Sequence, residues 1–143
     1  MLRLRAADIF DMAELCGAST VFEWRVAREM LARGLCWAAE DESGALVALG
    51  GLYPRDDGSH ELWFAPGAPA SRHMLALARL TRLTLCAGSY GEIVTVCRTR
   101  AGKRLARAIG FQFARLCDAP QDDWEIWRCL PSLVAEKTAV LKK

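Results

Sequence analysis

This sequence lacks a metal-binding signature. Its six cysteines, at 16, 36, 86, 97, 117 and 129, include no Cys-x-x-Cys pair, and neither of the two histidines stands at ligand spacing from one. The common zinc frameworks are thereby excluded, and no metal is expected. The opening residues carry no apolar leader, so export to an oxidising compartment is not indicated. With apolar neighbours around them, as in Gly-Leu-Cys36-Trp and Thr-Val-Cys97, the cysteines read as reduced core thiols. No window approaches the roughly 18 apolar residues of a membrane helix, and the expected location is cytoplasmic. Repeats and low-complexity linkers are missing too, which leaves a single domain over 1–143 as the expectation. Nor is there an excess of either charge: 19 basic against 17 acidic residues give a net +2, too little to argue for nucleic acid.

What is present is the material of a packed fold. Hydrophobic residues make up 52% and charged residues 25%, and a chain of this length can bury about 68–70% of its unfolded surface. LRLR at the start alternates as a half-buried strand does, and Asp8 then caps a helix carrying Ile9, Met12, Ala13 and Cys16 before Gly17. Thr20 opens a second helix whose Phe22, Val26 and Met30 fall at i, i+4 and i+8, a stripe expected to face the core, with Gly34 as its stop. LCWAAED, ALVALGGLY and HELWF read as three strands in antiparallel hairpins. After a Pro-Gly-Ala-Pro loop, Ser71 is expected to cap a long helix with Met74, Leu75, Ala78 and Leu85 inward and Arg72, Arg79 and Arg82 on another side. EIVTVC then reads as a buried strand, RTRAGKRLARAIG as a helix, GFQFARLC and DWEIWRC as strands, and Pro131 as the start of a short terminal helix. The predicted order is β-α-α-β-β-β-α-β-α-β-β: a mixed, mostly antiparallel α/β (α+β) fold of about seven strands, with helices on both faces and one parallel pair where the long helix crosses from HELWF to EIVTVC.

That order, the opening LRLRAADIFDMAEL and the helix-Gly-Phe-strand ending resemble the GNAT superfamily of N-acetyltransferases over nearly the whole chain. The resemblance implies acyl transfer from acetyl-CoA to an amine, with the coenzyme pyrophosphate held by backbone N–H groups in the loop after the fourth strand. In FAPGAPASRHML, Pro69 falls at the family's Arg or Gln, Arg72 at its first glycine and Met74 at its second. Proline has no N–H, and side chains at glycine positions obstruct close backbone approach. By resemblance the coenzyme-binding positions are Phe64, Ala70, Ser71, Arg72 and His73 of this altered loop, with Arg100 and Arg104 as phosphate contacts. Glu61 is placed where many members keep a base acting through water, with His60 pointing to the other side of the strand. The plainer reading of Glu61 is a solvated strand-end carboxylate. Ala106 stands where the family commonly keeps the tyrosine that protonates the departing thiolate, a role left to Tyr90 or Cys97.

A second resemblance is local. HELWFAPG, the arginine-bearing helix after it, and CRTRAGKRLARAIGFQF look like small tailed-phage and prophage proteins of the internal virion or morphogenesis type, which implies a non-catalytic fold acting through protein contacts. Helical spacing puts Arg100, Lys103, Arg104 and Arg107 on one side and Ala101, Leu105, Ala108 and Ile109 on the other. The basic side reads either as a solvated face or as an anion contact. Asp122, Asp123 and Glu125 read as a charged hairpin turn or as an attraction for a cationic acceptor. Trp124 and Trp127 lie an odd number of steps apart on one strand, so one of them is expected to be exposed or covered by a partner, through a homodimer of the terminal strands.

Overall fold

The computed structural model describes residues 1–118 and 123–130. Its elements are β1 (Arg3–Ala6), α1 (Ile9–Cys16), α2 (Val21–Arg33), β2 (Leu35–Glu40), β3 (Leu46–Pro54), β4 (His60–Pro66), a 3₁₀ helix (Ala68–His73), α3 (Met74–Ala87), β5 (Ile93–Cys97), α4 (Arg100–Ile109), β6 (Gln112–Leu116) and β7 (Glu125–Cys129). The strands form a seven-stranded mixed sheet in the order β1-β2-β3-β4-β5-β7-β6. β4 and β5 pair in parallel, His60 with Ile93 and Glu61 with Val94, as the long crossover requires. The terminal helix expected after Pro131 lies outside the described residues. The described chain divides into two compact units, Met1–Pro54 with Leu62–Leu77, and Arg55–Glu61 with the described residues from Ala78 onward.

In the first unit, local chemistry sets both helix starts. The Asp8 carboxylate accepts from the N–H groups of Phe10 and Asp11, while Asp11 accepts from Asp8 N–H, and Thr20 and Glu23 repeat this reciprocal cap on α2. The core gathers Met12, Ala27, Ala38 and Leu49 in one cluster and Ala39, Val47, Ala48, Ala70 and Leu77 in another. The expected stripe of α2 is corrected here. Ala27 faces the core, with Met30 and Leu31 packed beside it, whereas Phe22 is 73% and Val26 40% exposed. α3 is corrected in part: Ser71 sits inside the 3₁₀ helix and makes no side-chain cap, and Leu77 is buried with Ala78 and Leu85, whereas Leu75, two residues away on the opposite side of the helix, is 76% exposed.

β1 carries a charge network that its alternation concealed. Arg5 forms a bidentate pair with Asp11 at 2.6 and 2.7 Å and donates from Nε to Glu40 at 2.6 Å, and Arg3 adds a bond to the other Glu40 oxygen at 2.7 Å. Both carboxylates are buried. Hydrogen bonding to Arg5 holds Asp11 below the usual carboxylate range, and bonds from Arg3 and then Arg5 do the same for Glu40.

In the second unit, β5 lies between β4 and β7, and Ile93, Val94, Trp127 and Cys129 are buried. α4 starts at Thr99, whose hydroxyl accepts from Gly102 N–H. It ends at Gly110, where φ is +120° and the Ala106 carbonyl accepts from the N–H groups of Gly110 and Phe111. α4 buries Ala106 and Ile109, while Ala101 and Ala108 are exposed, so its inner line runs one step away from the expected one. Every residue of β6 is exposed, Phe113 at 52% included, although Phe111 just before it is buried. Trp127 is buried, and half-buried Trp124 lies under the Arg98 guanidinium at 4.2 Å, so the chain's own arginine covers the ring for which a partner was expected. All six cysteines are free; Cys97 and Cys129 are in the core, but Cys16 is exposed rather than buried.

Candidate functional site

The predicted site residues fall in both units: Phe64 and Ala70–His73 in the first, Glu61, Arg100 and Arg104 in the second.

In the first unit, the stretch after β4 is built as packing. Gly67 N–H donates to Val47 O at 2.7 Å, and a side chain at Gly67 would meet the carbonyls of Leu46 and Val47 at 2.7 and 2.9 Å. The 3₁₀ helix then begins with Ala70 N–H donating to Gly67 O at 3.1 Å. Ala70 is 3% exposed and shares its cluster with Val47, Ala48 and Leu77, against which Phe64 and Met74 pack. Phe64 and Ala70 are therefore brought together as core residues, while Ser71 and Arg72 are exposed and His73 is half-buried.

A pyrophosphate cradle needs several successive backbone N–H groups turned outward at a helix start. Here Pro69 has none, and that of Ala70 is already bonded. Two positions of such a cradle are thereby taken out, at Pro69 and Ala70.

In the second unit, Glu61 is half-buried on β4 and enters no ion pair among the described residues. His60 meets the Tyr90 ring edge-on at a centroid distance of 5.6 Å, and its Nδ1 is buried without a hydrogen-bond partner. Sequence reading placed His60 as a neighbour of Glu61; the orphaned nitrogen and its aromatic neighbour, thirty residues on, had no local signal. Cys97, 4% exposed, has its thiol pushed up to about 11 by burial and then by Glu125, so it holds its proton. Ala106, at the tyrosine position of the resemblance, is 4% exposed. Arg100 and Arg104 are exposed on α4, whereas Lys103 is turned to Glu125 at 3.3 Å, where Trp127 Nε1 also donates at 3.0 Å. Glu125 is thus engaged within the fold, Asp123 is exposed, and Asp122 lies outside the described residues. No group of three or more metal-ligating side chains occurs among the described residues. No helix among them is long and apolar enough to cross a membrane.

No protein-family model matches the sequence, and no curated protein matches it. Solved structures do. An N-acetyltransferase from Staphylococcus aureus Mu50 superposes with a TM-score of 0.72 at 11% identity, over 92% of this chain and 98% of that one. A GNAT superfamily phosphinothricin acetyltransferase from Sinorhizobium meliloti, in complex with AcCoA, gives 0.70 at 15% identity, over 90% and 88%. A mutant spermidine N-acetyltransferase SpeG from Vibrio cholerae gives 0.72 at 16% identity, over 96% and 98%. The fold is that of the GNAT superfamily.

Proposed function

We propose that this chain is a GNAT-fold protein that works by binding another macromolecule, and that it does not take up acyl-CoA through the stretch between β4 and α3. The carrying observation is the hydrogen bond from Ala70 N–H to Gly67 O, with Ala70 buried beneath it and proline beside it. The Ala70 side chain is packed with Val47 and Leu77, which holds this turn in place. The buried Ala106 supports the same reading, since its methyl group has no proton to give to a departing thiolate. The finer form of this reading, carried by HELWFAPG and CRTRAGKRLARAIGFQF, is an assembly protein of the tailed-phage internal virion type.

A second reading is N-acyl transfer to an amine. It draws on the likeness to acetyltransferases, one of them in complex with AcCoA, and on half-buried Glu61, in no ion pair among the described residues, as a base acting through a water on an amine acceptor. The polyamine named for SpeG would be such an acceptor. A calorimetric titration with acetyl-CoA, paired with a thermal melt in its presence, separates the readings. The expected result is no heat of binding below millimolar coenzyme and no rise in Tm. Micromolar binding would overturn the first reading; at 100-fold excess over Kd it would add about 2.7 kcal/mol of apparent stability.

A further inference from the structure

Helix α2 carries an apolar row that its own unit leaves uncovered. The Thr20–Glu23 cap and the packing of Ala27 on Met12 and Leu49 fix the helix's rotation, which turns Phe22 and Val26 outward. Beside them Val21 is 71% and Phe10 of α1 75% exposed. This row borders a groove of about 120 Å³ whose walls include Met12, Cys16, Phe22, Val26 and Met30, with Glu23 as their only ionisable carboxylate. One oxygen of that carboxylate already accepts from the N–H groups of Ser19 and Thr20, and the rest of the named wall presents carbon and sulfur to an incoming group. Its volume suits one apolar side chain.

The occupant can be read from the same face. Phe22 stands as a protruding ring at the rim of a hole of its own size, and a two-fold interface requires each surface to carry both the knob and the hole it fills. Charge agrees: Arg25 and Glu29, each three residues along α2 from Phe22 or Val26, are exposed, and Glu14 is exposed on α1. A single-sign partner would leave some of these unmatched, whereas a copy of the same surface offers both signs. Phe10 and Phe22, each about three-quarters exposed, supply about 300 Å² between them. With Val21, Val26 and the flanking charged stems, two such faces bury about 1,000 Å², the threshold of a specific interface. We propose that α1 and α2 form the interface of a symmetric, reversible homodimer in which Phe22 of each copy enters the groove beside Val26 of the other. This interface is separate from the terminal strands and independent of whether coenzyme A binds.

Sedimentation equilibrium from low micromolar to near-millimolar protein tests it. The apparent mass is expected to rise from 15.8 kDa toward twice that value. Alkylation of Cys16, resolved by peptide mass spectrometry, should slow over the same range, because that exposed thiol lines the groove. Phe22→Ser and Phe10→Ser should each weaken association about tenfold or more, with unchanged circular dichroism, while Phe113→Ser on β6 should leave it intact. A constant mass of 15.8 kDa across the range would overturn the proposal. So would association lost on Phe113→Ser, or association untouched by both Phe22→Ser and Phe10→Ser.

Discussion

Replacing Arg5 with methionine is expected to lower the unfolding free energy by about 3 kcal/mol, the lower end of what removing one partner of a buried ion pair costs. The low end applies because the Arg5 side chain is one-third exposed and water can reach what it leaves behind. Asp11, 7% exposed, loses both oxygens' bonds to the guanidinium and keeps only the backbone bond from Asp8 N–H at 2.8 Å. In urea, the midpoint should fall by about 1.5 M for a typical slope. Acid sharpens the result. In the parent protein Asp11 and Glu40 titrate below their unfolded values, so their contribution is complete at neutral pH and drains away as pH falls through the lowered folded values. The variant has less of this contribution to lose. The difference between the two proteins should therefore narrow from neutral pH toward about pH 3, and a gap that stayed constant would contradict the account.

Gly51→Ala is expected to cost about 3 kcal/mol, the upper part of the usual range for overpacking a core. A methyl group on Gly51 would stand 2.5 Å from the Leu35 carbonyl oxygen and 2.6 Å from Trp63 Nε1. The first neighbour is backbone of the paired strand, where Cys36 faces Gly51, and it cannot yield without breaking the β2–β3 register. The second is an indole packed against the Met12, Ala27, Ala38 and Leu49 cluster. Gly50→Ala is the control, since its methyl would meet only Trp63 O at 3.4 Å, an ordinary contact. Its effect should stay within about 0.5 kcal/mol. Equal destabilisation by the two substitutions would show that strand glycine itself, rather than the space above Gly51, sets the cost.

The element order was legible because punctuation is local. Asp8, Thr20 and Thr99 accept from backbone N–H groups within three residues of themselves, and Gly110 takes the positive φ that closes α4. The rotation of each helix was not legible. α2 holds two apolar lines that meet near Met30, one through Phe22 and Val26 and one through Ala27 and Leu31, and it is packing against Met12 and Leu49 that selects the second. The Arg5–Asp11–Glu40 network joins charges from three elements up to 35 positions apart, which no window along the chain can connect. For the candidate site, the departures at Pro69, Arg72 and Met74 could be read directly. What takes the place of the cradle depends on Val47 O, twenty residues upstream and reachable only once β3 and the chain after β4 have met.

The uneven burial of β6 and β7 bears on how this sequence can change over generations. β7 carries Trp127 and Cys129 into the core, pairs on both sides and holds Glu125 against Lys103, so most of its positions answer to several neighbours. β6, at the end of the strand order, contributes backbone bonds to one side and buries none of its five residues. Apart from Phe113, which meets the Trp127 ring edge-on, its side chains are free to drift while its backbone stays in place. Relatives of this chain should therefore diverge fastest at the rim of the sheet, and likeness among them is better sought in β5 and β7 than in the strand between α4 and the hairpin.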